Sequence, residues 1–176
     1  LQQPSIDKKG RIDCCCHVAP NTWEYEFIVA TTGASLRWFR DVFGREETEK
    51  ARKTSISPYD LLVRQAGEIS PGSDGLFFYP YLAGAFSPKS RRNARGIFFG
   101  IGLSHTKAHF VRALLEGVTF QYLESFGLLS ELGIQVRGAN MVGGETRSEI
   151  WNQIKADILG REISIPRVED AAALGA

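Results

Sequence analysis

The chain has 176 residues, 43% of them hydrophobic and 23% charged, and a formal net charge of +1. This length allows one sizeable domain, and the composition is ordinary for a soluble globular protein. The near-neutral charge excludes a global attraction to nucleic acid or to an anionic membrane, and no apolar run is long enough to span a bilayer. We therefore expect neither nucleic acid nor a membrane as a partner. The sequence contains no disulfide framework, which favours a cytoplasmic location.

The first predicted elements are two strands of a hairpin. Residues 11–18 and 23–29 are rich in small, aromatic and β-branched side chains, and a Pro-Asn turn separates them. The first strand holds three consecutive cysteines followed by His17. Either a strand of small apolar residues or a metal site accounts for this run. We prefer the strand, because neighbouring strand residues point to opposite faces and no Cys-x-x-Cys pair accompanies them.

Residues 31–44 predict a capped helix that ends at Gly44. Gly33 lies in its first turn, where the missing Cβ admits either a ligand or a tightly packed neighbour. The charged residues 45–54 predict a solvated loop or a frayed helix. Ser57 and Pro58 then predict the N-cap and first residue of a short helix.

Residues 76–79 predict a short buried strand, and residues 96–101 predict another. The loop between them is basic and is suited either to a phosphate or, more commonly, to plain solvation; its basic residues are Lys89, Arg91, Arg92 and Arg95. The longest predicted helix starts at His105 and ends before Gly133, with Gly117 allowing close packing. His105 and His109 are spaced for a two-histidine metal face, but a structural role is preferred because no acidic partner pattern accompanies them.

A strand, a glycine turn and a helix are predicted between residues 135 and 160. The turn is Gly143-Gly144, and Thr146 with Glu149 has capping-box spacing for the helix start. This arrangement suits an anion or a nucleotide at a helix N-terminus, although an ordinary strand-to-helix junction has the same pattern. Neither a Walker A loop nor a Gly-x-Gly-x-x-Gly fingerprint is present. A strand at 162–166 and a helix from Val168 follow, which completes an α/β pattern.

One ordered set of segments is Gly96-Ile97-Phe98-Phe99-Gly100-Ile101, His109-Phe110 and Ala113-Leu114-Leu115-Glu116-Gly117. This set resembles the signature of the FGGY carbohydrate kinases. Four further segments resemble the same family in the same order. They are Gly33-Ala34-Ser35-Leu36-Arg37-Trp38, Tyr79-Pro80-Tyr81-Leu82-Ala83-Gly84, Gly143-Gly144 with Ala156-Asp157-Ile158-Leu159-Gly160, and Ala172-Ala173-Leu174-Gly175-Ala176. An ordered set of matches is more specific than any single glycine motif.

The resemblance implies an α/β fold: an incomplete ribonuclease H-like (actin-like ATPase) domain with a mixed sheet and flanking helices. Residues 1–176 would form part of the C-terminal, nucleotide-binding domain, with the N-terminal sugar-binding domain absent. ATP and Mg²⁺ are the implied cofactors. The implied partner is a sugar substrate held through the N-terminal domain, and assembly into a homodimer stays open.

By position, the resemblance places five residues beside the nucleotide. They are Gly33, Arg37, Gly143, Gly144 and Ser148. The family's catalytic Asp and Gly-Thr phosphate loop have no match in the chain. We therefore assign no catalytic residue and no metal ligand, and expect the chain alone to be inactive.

The implied reaction transfers the ATP γ-phosphoryl group to a sugar hydroxyl. Details closest to xylulokinases point to a ketopentose such as D-xylulose. Glu145, Ala85 and Phe86 depart from the family pattern and motivate an alternative, a non-catalytic nucleotide-binding module or degenerate kinase homologue. An unrelated α/β domain with fortuitous glycine turns is the third interpretation.

Overall fold

The computed structural model describes residues 1–88 and 90–167. Two strands come first, three α-helices and two more strands follow, and the central helix then leads into a strand–helix–strand unit. The strands are β1 (Asp13–Cys16), β2 (Trp23–Glu26), β3 (Phe77–Tyr79), β4 (Ile97–Phe99), β5 (Ala139–Asn140) and β6 (Ile163–Ser164). The α-helices are α1 (Gly33–Phe43), α2 (Arg45–Lys53), α3 (Pro58–Gly67), α4 (Lys107–Glu131) and α5 (Glu149–Leu159). Two 3₁₀ turns are formed by Ser73–Gly75 and Gly144–Arg147. Lys89 and the helix predicted from Val168, which includes the last family-like segment, lie outside the described residues.

The strands form three separate pairs within the described residues. β1 and β2 are antiparallel, which confirms the predicted hairpin, and β3 pairs with β4 in the same sense. β5 and β6 are parallel and are joined across α5. The mixture of α and β structure is as predicted, but these pairs do not join into the single mixed sheet that we expected. Each strand is only two to four residues long, so it contacts one partner while helices supply the core.

α4 is the centre of the hydrophobic core. Its apolar side packs against α3, α5 and β3. The apolar side chains of α4 that are completely buried are Val111, Leu114, Leu115 and Val118. Full burial of each aliphatic side chain contributes roughly 1.5–3 kcal/mol, so this helix positions the surrounding elements. Gly117 lies on the same buried side, where β3 approaches the backbone of the helix.

His105, just before α4, and His109, in its first turn, fix the start of this helix. Thr106 is the N-cap residue, and its backbone N–H donates to Nδ1 of His109 at 3.1 Å. Nε2 of His109 lies 3.2 Å from the Asp74 carboxylate. His105 accepts a hydrogen bond from the Gly102 N–H at 3.0 Å. These contacts give both histidines a structural role at the helix start.

β3 is only partly buried, which corrects the prediction of a short buried strand. Phe78 packs against α4, whereas Phe77 and Tyr79 keep 46% and 48% of their surface exposed. The partner strand β4 likewise exposes Ile97 and Phe99. Alternate residues of a strand face opposite sides, and among residues 1–88 and 90–167 one side of this pair meets a helix while the other is exposed.

Of the two alternatives predicted for the charged segment 45–54, a loop or a helix, the structure shows the helix α2. Glu47 is the residue that holds it, because its side chain is 4% exposed and lies 3.1 Å from Nζ of Lys107 on α4. Nε2 of Gln65 on α3 also donates to Glu47 at 3.1 Å. A tertiary contact therefore orders a segment in which nearly all side chains are polar.

No helix in the described ranges is long and apolar enough to cross a membrane.

Candidate functional site

One cavity brings together all five residues predicted to contact a nucleotide. Its volume is about 670 Å³, and Gly33, Arg37, Gly143, Gly144 and Ser148 all line it. The first two belong to α1, and the other three belong to the turn before α5. More than one hundred residues separate the two groups in the chain. Their nucleotide-binding role stays a prediction, but their convergence on one cavity is a property of the fold.

The first wall of the cavity is the N-terminus of α1. Thr32, the N-cap residue, and Gly33 line the cavity, and a Cβ on Gly33 would meet nothing within 4 Å. The Thr31 hydroxyl donates to the Pro80 carbonyl, and the Ser35 hydroxyl donates to the Thr31 carbonyl. These buried bonds fix the start of the helix. Its positive dipole end therefore faces the cavity, which favours an anionic ligand.

The second wall is the Gly143–Gly144 turn. Gly143 has a φ of +94°, a conformation that favours glycine, whereas Gly144 has no such constraint. A Cβ on Gly144 would find nothing within 4 Å, so this backbone borders open space. The Thr146 hydroxyl donates to the Gly143 carbonyl at 2.8 Å and closes the turn. A ligand can therefore approach the backbone without moving any protein atom.

The predicted capping box of Thr146 and Glu149 is wrong. Residues 144–147 form a 3₁₀ turn, and α5 begins only at Glu149. Ser148 is the N-cap residue, and its Oγ accepts the Trp151 N–H at 3.2 Å. Thr146 instead serves the preceding turn, and its carbonyl accepts from Asn152 at 2.7 Å. The α-helix starts later because the glycine turn needs its own closing residue.

The capping role of Ser148 can be separated from its predicted ligand role. We expect Ser148→Ala to lower the free energy of unfolding by about 1 kcal/mol, because the Trp151 N–H loses its acceptor. Ser148→Asp keeps a capping acceptor, so its unfolding free energy should stay within about 0.5 kcal/mol of wild type. Its added carboxylate should nevertheless weaken Mg-ADP binding. Urea denaturation and calorimetric titration measure the two effects, and unchanged affinity in Ser148→Asp would contradict the placement of Ser148 beside the nucleotide.

The third wall, supplied by α3, is the part that sequence reasoning missed. Ser57, Tyr59 and Asp60 line the cavity from the start of this helix. Arg147 was also missed, and with Arg37 it gives the cavity two exposed guanidinium side chains. Arginine is well suited to phosphate and to stacking on an aromatic base. No local motif marks these positions, because α3 reaches the cavity through its packing against α1, α4 and α5.

A buried polar network lies behind the glycine turn. Oε1 of Glu145, which also lines the cavity, accepts from the Tyr122 hydroxyl at 3.0 Å and lies 3.3 Å from Nζ of Lys155. Burial lowers the pKa of Lys155, and the Glu145 charge opposes that change. Burial, reinforced by the nearby Glu145, raises the pKa of Tyr122 well above its usual range. The network therefore consists of a hydrogen-bonded phenol and an ion pair that are both shielded from water.

Metal-binding patterns are absent from the parts of the chain that the structure covers. No group of three or more His, Cys, Asp or Glu side chains there could hold a metal ion. The three cysteines are free, and Sγ of Cys15 lies 3.8 Å from the Glu26 carboxylate across the hairpin. Partial desolvation and this carboxylate raise the pKa of the Cys15 thiol. The cysteine run is therefore part of a strand, as preferred from the sequence.

Comparison with known proteins defines the class of the chain. The C-terminal domain of the FGGY family of carbohydrate kinases matches residues 7–176. Gluconokinase of Bacillus subtilis is 40% identical over the whole chain, and xylulose kinase of Staphylococcus epidermidis is 31% identical over 91% of it. The chain spans about a third of the length of these relatives, 34% and 30% respectively.

Solved structures of carbohydrate kinases also resemble the chain. The chain aligns over its full length with a ligand-bound xylulose kinase from Lactobacillus acidophilus, with a TM-score of 0.83 and 26% identity. Gluconate kinase from the same organism gives a TM-score of 0.81 and 28% identity. In each case the chain covers 34% of the neighbour. The chain therefore belongs to the FGGY family of carbohydrate kinases and corresponds to its C-terminal domain.

Proposed function

We propose that this chain is the nucleotide-binding part of an ATP-dependent carbohydrate kinase, which transfers the γ-phosphoryl group of ATP to a sugar hydroxyl. The observation that carries the proposal is the convergence of Gly33, Arg37, Gly143, Gly144 and Ser148 on one cavity. Local glycine and capping patterns single out Gly33 and the Gly143–Gly144 turn, and the family resemblance adds Arg37 and Ser148. A fortuitous set of glycine turns has no reason to meet in one place.

The cavity fits a nucleotide in size and in chemistry. Its volume of about 670 Å³ lies within the roughly 300–1,000 Å³ of ligand pockets. The α1 N-terminus and the Gly143–Gly144 backbone supply N–H donors, and Arg37 and Arg147 supply positive charge. Mg²⁺ would accompany the phosphates as their counter-ion, because it is commonly bound through substrate oxygens rather than through a protein cage.

The chain's contribution to the reaction is positioning and electrostatic stabilisation. Phosphoryl transfer needs the nucleotide held in line with the attacking hydroxyl, with its negative charge neutralised. The walls of the cavity would hold the nucleotide in this position. We propose that the base accepting the hydroxyl proton lies outside residues 1–176, just before the phosphate loop of the C-terminal domain, and that the groups binding the sugar belong to an N-terminal domain. This chain by itself would then bind nucleotide without turnover.

Two sugar substrates are candidates for the whole enzyme. The 40% identity with a gluconokinase supports a sugar acid such as D-gluconate, while the xylulokinase-like motifs support a ketopentose such as D-xylulose. A coupled assay of the full-length protein with each compound at equal concentration distinguishes them. At least a tenfold preference in kcat/KM for one compound would assign the substrate class.

Titration of the chain with Mg-ADP tests the proposed function directly. We expect a dissociation constant in the range of roughly 1 μM to 1 mM, which is typical of enzyme substrates. Circular dichroism on the same sample should establish that the chain is folded. Absence of binding by the folded chain and by the full-length protein would contradict the proposal. Binding without turnover by the full-length protein would instead favour a non-catalytic nucleotide-binding module.

A further inference from the structure

The buried ion pair behind the glycine turn has an unusual position for a purely structural contact. Lys155 has no exposed side-chain surface, and only 13% of the Glu145 side chain is exposed. Glu145 directly follows Gly144, and the same residue lines the cavity. The two charges thus lie immediately behind the backbone that faces the proposed ligand.

Stability alone does not explain this pair. Buried ion pairs are often no more stabilising than apolar residues of similar volume, because both charges lose their hydration. The hydrogen bonding here is also incomplete within the described residues. Nζ of Lys155 and Oε2 of Glu145 are buried without a hydrogen-bond partner. Nζ of Lys155 is instead paired with the Glu145 carboxylate and lies over the face of the Trp151 ring, 4.6 Å from the ring centroid.

Tyr122 connects this pair to the central helix of the core. Its hydroxyl donates to Oε1 of Glu145 at 3.0 Å. Tyr122 belongs to α4, and its side chain packs, partly buried, against the hydrophobic core. The network therefore ties the glycine turn to α4.

We propose that Lys155 and Tyr122 are positioning residues that hold the Glu145 carboxylate in the cavity wall, away from the nucleotide phosphates. The inference rests on the proposed nucleotide site. Lys155 neutralises the carboxylate from behind, and Tyr122 directs it toward the core. Without Lys155, the carboxylate gains hydration by turning toward the cavity, where it repels the phosphates. The Gly143–Gly144 turn then loses the orientation in which its backbone meets the ligand.

The test compares variants of the full-length protein by calorimetric titration with Mg-ADP and with adenosine. Lys155→Met should weaken Mg-ADP binding roughly tenfold, because a carboxylate then lies near the phosphates. Adenosine has no phosphate, so its affinity should change less than about threefold. The double variant Glu145→Gln, Lys155→Met removes both charges and keeps an acceptor for Tyr122. Its Mg-ADP affinity should return to within roughly threefold of wild type.

Lys107→Met is the matched control. The substitution removes the cation that pairs with the buried Glu47, but neither Lys107 nor Glu47 lines the cavity. We expect this variant to lose stability while its Mg-ADP affinity stays at the wild-type value. Tyr122→Phe, which removes one hydroxyl, provides a second variant if Lys155→Met does not fold. It should weaken Mg-ADP binding roughly threefold or more, with a smaller effect on adenosine.

The possible outcomes separate the inference from the function on which it rests. Wild-type protein that fails to bind Mg-ADP contradicts the proposed function. Wild-type binding combined with unchanged affinity in Lys155→Met contradicts only the positioning role. Equal weakening for Mg-ADP and adenosine, without recovery in the double variant, also overturns the inference, because it indicates general damage to the fold.

Discussion

Gly144→Val should abolish Mg-ADP binding and leave the fold intact. The backbone at Gly144 lies outside the left-handed region, and a Cβ there would meet no atom within 4 Å, so the folded chain accommodates the new side chain. The space that it occupies is the cavity itself. A branched side chain between the ligand and the turn prevents close approach to the backbone. We expect an affinity loss of about 100-fold or more, equivalent to about 2.7 kcal/mol, in a calorimetric titration.

Gly127→Val is the control for this substitution. Gly127 is likewise surrounded by open space, but it lies on α4 and does not line the cavity. The control variant should bind Mg-ADP with wild-type affinity. Gly143 is unsuitable for either purpose, because its φ of +94° would add backbone strain to any steric effect. Wild-type affinity in a folded Gly144→Val variant would show that the nucleotide does not contact this turn.

Among the substitutions proposed for this chain, Gly117→Ala should lower the free energy of unfolding the most. A Cβ at Gly117 would lie 2.1 Å from the carbonyl oxygen of Phe78 and 3.0 Å from its carbonyl carbon. Both atoms are backbone, so no rotamer change relieves the overlap and α4 must separate from β3. We expect the free energy of unfolding to fall by about 3 kcal/mol, at the upper end of the range for overpacked cores. Urea denaturation monitored by circular dichroism measures the change.

Gly127→Ala on the same helix is the matched control for Gly117→Ala. A Cβ at Gly127 meets nothing within 4 Å, so the substitution adds only the higher helix propensity of alanine. The free energy of unfolding should rise by about 0.5–1 kcal/mol. Equal effects at the two glycines would mean that β3 does not pack closely on α4 in solution.

The sequence alone was sufficient for several local elements with their own chemical markers, although not for the start of α5. Ser57 and Pro58 predicted the start of α3, and the Ser57 hydroxyl caps it in the structure. Gly44 predicted the end of α1, and Gly160 that of α5. These features depend on backbone groups a few residues away, so neighbouring residue types determine them. The ordered family motifs likewise identified the class of the chain and five residues that prove to share one cavity.

Tertiary structure decided the features that depend on distant partners. Glu47 on α2 meets Lys107 on α4, which orders a charged helix. Within the described part of the chain, one face of β3 packs on α4 and the other is exposed. The α3 wall of the cavity and the ion pair of Glu145 with Lys155 arise in the same way. Hydrophobic periodicity shows which face of a helix or strand is buried, but not which other element covers that face. The sequence by itself therefore determined the local elements and the family, while long-range packing determined the walls of the site and the charges behind them.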